Sequence, residues 1–157
     1  MVKLVIGVAN FHNRYGVEKK KFTQNDKYKR LIKILKSNKI KIFDTSFDYK
    51  LDPLIAKKFN YNLDVITKTK LPKKNSISFI KKLENKIIFE LKKMNLKKFE
   101  ALLIHNVDDL KRKNTSIFLN KLFELKKKKL IKSIGVSIYQ PSDLKVFFSK
   151  FNPDIIQ

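Results

Sequence analysis

Short apolar runs alternate along this chain with longer lysine-rich amphipathic segments, and this dictates an α/β fold on a parallel sheet. Almost every apolar run also stops on a polar side chain. Glycine and proline are scarce, at 3 and 4 residues in 157, and no low-complexity linker divides the sequence. Residues 1–157 therefore read as one domain, long enough to bury a core.

The elements follow in order. Leu4 to Ala9 is a continuous apolar run suited to a strand covered on both faces. After a polar loop from Phe11 to Thr23, with His12 an ordinary loop residue, Tyr28, Leu31, Ile32 and Leu35 recur at helical spacing behind Gln24-Asn25, Asn25 being a suitable N-cap. Ile40 to Phe43 forms a second strand ending at Asp44. Pro53 opens a short helix to about Phe59, using the first-turn position that suits proline. Leu63 to Thr67 is a third strand ending on Lys68. Asn75 or Ser76 caps a long helix with an apolar stripe of Ile77, Ile80, Leu83, Ile87, Ile88, Leu91 and Met94. Phe99 to Ile104 is a fourth strand ending on His105. A helix from Ser116 to about Lys128 carries Ile117, Leu119, Leu122, Phe123 and Leu125. Ile131 to Val136, ending on Ser137, is the fifth strand. Pro141-Ser142-Asp143 starts a helix that Asn152-Pro153 breaks, and Asp154 to Gln157 begins a sixth strand. Strict alternation of this kind requires helical crossovers between parallel strands.

The formal charge of +23 suggests nucleic acid or an anionic surface as a partner. Only three of the 37 basic residues are arginine (Arg14, Arg30, Arg112), whereas phosphate and base recognition favours arginine forks. The lysines also spread over the solvent faces of nearly every expected helix, and the run Lys126 to Lys129 sits at a helix end where positive charge suits the dipole. A solvated lysine surface is the better reading, and nucleic-acid binding the weaker one. The absence of cysteine removes disulfides, thiolate nucleophiles and cysteine-ligated metals. No apolar run approaches the ~20 residues of a membrane span, and the N-terminal run makes a poor signal peptide. The expectation is a soluble, cytoplasmic protein.

The strand ends carry the chemistry. In order they are Asn10, Asp44, Lys68, His105, Ser137 and Gln157. In a barrel of parallel strands these ends meet on one rim, where catalytic groups from several strands converge. No G-x-S-x-G elbow, P-loop or G-x-G-x-x-G is present, and two histidines without a paired carboxylate serve a metal poorly. Asp44, Tyr49, Lys68 and His105 remain, and they fit proton transfer to a carbonyl. A tyrosine with a pKa of about 10 needs a stabilised phenolate to act as an acid near neutrality. A lysine ammonium supplies that, an aspartate keeps the lysine charged, and a neutral histidine orients the carbonyl by a hydrogen bond.

Several stretches together resemble the aldo-keto reductases. They are Phe43-Asp44-Thr45-Ser46-Phe47-Asp48-Tyr49, Ile66-Thr67-Lys68, Leu91 to Leu96, Leu102-Leu103-Ile104-His105-Asn106 and Leu130 to Ser137. Leu4 to Phe11 with Tyr15-Gly16 is similar to the opening of a bacterial subgroup, and the context Gly135-Val136-Ser137-Ile138-Tyr139 resembles a divergent bacterial branch. The resemblance implies metal-free, NADPH- or NADH-dependent reduction of a small-molecule aldehyde or ketone, or the reverse oxidation. Tyr49 is then the proton donor, Asp44 and Lys68 tune it, and His105 positions the substrate. Ser137 and Gln157 match positions that hold the nicotinamide carboxamide. Lys50 replaces the glycine usual after the tyrosine, Leu51-Asp52 replaces a Ser-Glu pair, and Ile138 replaces an asparagine.

The expected fold is therefore the N-terminal six βα units of a TIM (β/α)8-type barrel, an incomplete barrel. A full one takes about 250 residues and binds phosphate near strands seven and eight. Two open edges would remain, to be covered by self-association or a complementing chain. The alternatives to an enzyme are a catalytically inactive barrel remnant or interaction module and, behind it, a basic nucleic-acid-binding protein.

Overall fold

The computed structural model describes residues 4–9, 25–48, 62–74 and 76–157, with the backbone alone for 25–29. Within them the chain runs β1 (Val5–Gly7), α1 (Asn25–Ser37), β2 (Ile42–Asp44), β3 (Asp64–Thr69), α2 (Ser76–Lys93), β4 (Phe99–Ile104), a 3₁₀ turn (Val107–Lys111), α3 (Thr115–Lys127), β5 (Ile131–Val136), α4 (Asp143–Phe148) and β6 (Ile155–Ile156). The helix expected from Pro53, and Asn10, His12, Gln24, Tyr49 and Asn75, lie outside the described residues.

The six strands pair in parallel and in sequence order, β1-β2-β3-β4-β5-β6. This is the strand order of a TIM-type barrel, here curled as an incomplete one. Sequence and structure differ at three places. The first strand is shorter than its apolar run, and Leu4 and Val5 are 58% and 41% exposed because β1 is an edge. Lys68 lies inside β3, one residue before its end. In α3 the buried stripe is Phe118, Leu119, Leu122 and Leu125, which leaves Ile117 and Phe123 about half exposed.

Period-two alternation separates the two faces of the sheet. Phe43 registers with Val65, Leu102 with Ile134, and Ile104 with Val136. These residues join Ile80, Leu83, Ile87 and Leu91 of α2 and Phe118, Leu122 and Leu125 of α3 in one apolar core. Asp44, Lys68 and Gly135 alternate with them and belong to the opposite, barrel-side face. Gly135 is required there by space, since a Cβ would come within 2.4 Å of Leu103 Cδ2 and 2.5 Å of the Ile155 carbonyl oxygen.

At the lower rim, where helices return to strands, one turn recurs. Lys39, Asn95 and Lys129 have φ of 55°, 50° and 59°, the left-handed region. The next residue's amide bonds back five residues in each case: Ile40 N to Leu35 O (2.9 Å), Leu96 N to Leu91 O (2.8 Å) and Leu130 N to Leu125 O (3.1 Å). The left-handed residues themselves donate to Lys36 O, Lys92 O and Lys126 O at 3.0, 3.0 and 2.9 Å. These are Schellman caps, each with an apolar residue just beyond the cap.

The Lys126 to Lys129 run is more than a solvated helix end. Lys126 pairs with Asp154 (2.7 Å), and Lys128 pairs with Glu84 and Glu124 (2.7 Å each). Lys121 also bonds both glutamates, at 2.8 and 2.9 Å, so a four-residue network joins α2 to α3 and holds the Glu124 carboxyl down to about 2.

Candidate active site

The upper rim collects the polar strand ends. Past β2, the segment Asp44-Thr45-Ser46-Phe47-Asp48 continues the alternation. Phe47 packs against the helix-side core, edge-on to Phe99 at 6.3 Å, with Lys86 Nζ 4.7 Å from its ring centroid. This anchor leaves Ser46 and Asp48 on the side of Asp44. The Phe47 amide bonds Lys68 O (3.1 Å), which ties the segment to β3.

Lys68 is the centre of the site. Its Nζ donates to Asp44 Oδ1 at 2.5 Å and to Thr45 O at 3.3 Å. The two side chains are 4% and 16% exposed. A charge so deeply buried is tolerable only when it is paired and hydrogen-bonded, and removing one partner of such a pair costs about 3–5 kcal/mol.

His105 follows β4 and is buried, its amide bonded to Thr69 O (2.9 Å). Its Nδ1 lies 3.5 Å from Ser46 Oγ and 3.7 Å from Asp48 Oδ2, and Asp48 in turn pairs with Lys70 at 2.9 Å. Burial first, then the Lys70 and Lys68 ammonium groups, holds the His105 pKa below its ordinary value, more than Asp48 and Asp44 raise it. Both effects favour the uncharged ring.

Ser137 and Gln157 stand on adjacent strand ends. Ser137 N bonds Ile104 O (2.9 Å), Gln157 N bonds Val136 O (2.9 Å) and Ile138 N bonds Gln157 O (2.7 Å). The Ser137 side chain is buried, and no described residue hydrogen-bonds its hydroxyl. A buried hydroxyl can both give and take a hydrogen bond, and Gln157, on the next strand end, is exposed.

The described structure thus brings Asp44, Lys68 and His105 to one rim and places Ser137 and Gln157 along it. Tyr49 lies outside the described residues. Sequence reading missed Ser46, Asp48 and Lys70, although period-two spacing from Asp44 and Lys68 marks all three for the same face. It also missed a clamp beneath the site. Buried Asp109 accepts from Leu71 N (2.7 Å) and pairs with Arg112 (2.9 Å), while Arg112 donates to Leu71 O. The loops after β3 and β4 are thereby joined. Burial raises the Asp109 pKa, against the opposing pull of the Leu71 amide and Arg112.

A depression of about 420 Å³ lies at the other end of the sheet, lined by Leu63, Asp64, Asn95 to Lys98 and Glu100. It holds none of the groups just described, and its lysine and carboxylate walls suit solvent. Among the described residues no cluster of histidine, aspartate and glutamate could hold a metal ion, and no helix is long and apolar enough to cross a membrane.

No family model matches the sequence, and no curated protein does. Solved structures do match the fold. An aldo-keto reductase of the silkworm Bombyx mori superposes with a TM-score of 0.67 at 19% identity, over 97% of this chain and 50% of its own. The same enzyme complexed with NADPH gives 0.68 at 18% identity, over 97% and 49%. The holo form of an aldo-keto reductase from Bacillus halodurans gives 0.69 at 15% identity, over 98% and 52%. The chain has an aldo-keto reductase-type fold and spans about half the length of the structures it matches.

Proposed function

We propose that the upper rim is the carbonyl-handling part of a nicotinamide-dependent oxidoreductase. The observation that carries this reading is the buried Lys68–Asp44 pair, 2.5 Å apart, on the rim that also bears buried His105. A buried ammonium is electrostatically costly, and its use is to stabilise a developing anion nearby. Tyr49 is the group whose phenolate it serves, so Tyr49 gives a proton to the carbonyl oxygen. Asp44 keeps Lys68 charged through that step, and His105 orients the substrate. Ser137 and Gln157 hold the nicotinamide carboxamide. The bound cofactor, NADPH or NADH, supplies the hydride.

The substrate is an aldehyde or ketone, or the matching alcohol in reverse. The test is aldehyde-dependent NADPH oxidation, followed by absorbance, in the wild type and Tyr49→Phe. Loss of the proton donor should lower the rate by about 10²–10⁴-fold. Equal rates in the two proteins would remove Tyr49 from the chemistry.

A further inference from the structure

Lysines are spread over nearly every helix, but the fold gathers at one place a group of them that no carboxylate takes. The turns that return helices to strands lie on the lower rim. They hold Lys39, Lys97, Lys98 and Lys129, with Lys93 and Lys127 at the helix ends beside them. All six are exposed, and none forms an ion pair with a described residue. The nearby carboxylates are already engaged, Asp64 by Lys41 (3.2 Å), Glu100 by Lys132 (2.5 Å) and Asp154 by Lys126 (2.7 Å). Lys39 and Lys129 also occupy left-handed positions, φ 55° and 59°, that glycine suits better, so the backbone asks for no charge there. Strands β2 to β5 are neighbours in the sheet, which sets these turns along one edge of about 15 Å, three strand spacings. A nucleic-acid duplex carries one charge per about 1.7 Å of axis, so the edge matches roughly nine phosphates.

We propose that the lower rim docks the phosphate backbone of duplex nucleic acid without sequence preference. Three features choose this partner. The rim turns hold lysine and no arginine, and a lysine ammonium serves a phosphate as a point charge but lacks the fork that reads base edges. They hold no aromatic residue on which unpaired bases could stack, which disfavours a single strand. Their apolar residues, Ile40, Leu96 and Leu130, pack against the core, which leaves no apolar anchor for a lipid surface. The scarcity of arginine thus argues against base recognition and not against backbone contact. This surface lies at the opposite end of the sheet from Asp44, Lys68 and His105 and does not depend on the oxidoreductase reading.

The measurement is fluorescence anisotropy of a labelled random-sequence DNA duplex titrated with the full chain, at about 50 and 200 mM salt. Two variants of equal net charge separate the rim from the charge of the whole chain. Lys97→Gln/Lys98→Gln/Lys127→Gln/Lys129→Gln removes four rim lysines, and Lys73→Gln/Lys74→Gln/Lys81→Gln/Lys82→Gln removes four exposed ones around the start of α2. The wild type is expected to bind and, with about four phosphates engaged, to lose about 10²-fold in affinity between the two salts. At the lower salt the rim variant should bind about 10-fold more weakly or worse, and the other variant within about threefold of wild type. Absence of wild-type binding at the lower salt overturns the proposal. Equal losses in the two variants also overturn it, since total charge would then be the cause. Tighter binding to phosphatidylserine vesicles than to the duplex overturns it in favour of a lipid surface. Should the rim variant fail to fold, acetylation of wild-type lysines with and without duplex, read by mass spectrometry, decides. Protection at Lys97, Lys98, Lys127 and Lys129 supports the rim, and protection elsewhere contradicts it.

Discussion

At the lower rim of the sheet the turns at Lys39, Asn95 and Lys129 are copies of one another, whereas at the upper rim the strand ends carry Asp44, Lys68, His105, Ser137 and Gln157, each different. The lower turns share one backbone geometry, one pair of hydrogen bonds and one kind of apolar partner. Two of them accept a lysine where glycine would suit better. The upper rim buries a charge pair and an imidazole, each at an electrostatic cost. A repeated, forgiving solution at one end and an unrepeated, costly one at the other separates what the fold needs from what a site needs.

The sharpest way to break this contrast is to remove one charge from the upper rim. Lys68→Met leaves Asp44 unpaired and should destabilise the chain by about 3–5 kcal/mol in urea unfolding. Adding Asp44→Leu should restore most of that loss, because no charge is then left unpaired by the change. A single variant as stable as wild type would show that the pair is not held out of water. Next in size, Asp109→Ala strands the Leu71 amide and Arg112, with an expected loss of about 1–3 kcal/mol by the same measurement.

The lower rim should respond in the opposite direction. Lys39→Gly and Lys129→Gly relieve left-handed strain, and each should stabilise by about 0.5–1 kcal/mol, a rise in Tm of about 1–4 °C. Asn95→Gly should gain less, since asparagine tolerates that conformation better. A drop in Tm for the lysine variants would mean that these turns are held by their side chains.

The smallest effect is a pH dependence. The folded pKa of His105 is lowered, so the stability linked to it is present above the unfolded value of about 6.5 and is lost as pH falls through that value toward the folded one. His105→Gln should remove that part of the acid slope. Lys68, Lys70, Asp44 and Asp48 are the charged groups that set it.

Local pattern made most of the fold legible. Apolar runs and helical stripes mark the strand order from β1 to β6, and polar strand ends mark Asp44, Lys68 and His105. What escaped depends on partners distant in sequence or on backbone geometry without a residue signature. Nothing about Lys39 or Lys129 announces a left-handed turn, because the usual glycine is absent. The Asp109 clamp needs Leu71, in the loop of another strand. Ile117 and Phe123 are as apolar as Leu119 and Leu122, yet packing turns α3 to bury Phe118 in their place. Lys68 is where the apolar run of β3 stops, so pattern alone ends the strand there. The strand runs one residue further because Asp44 receives that charge inside the fold.

On the proposed function, the upper rim and not the lower holds a nicotinamide and a carbonyl. Titrating NADPH by fluorescence against wild type, Ser137→Ala and Lys129→Gly tests it most directly. The expected result is saturable binding to the wild type, unchanged in Lys129→Gly and weakened about 2- to 10-fold in Ser137→Ala, the worth of one hydrogen bond. No binding at millimolar cofactor, or equal binding by all three proteins, would contradict it.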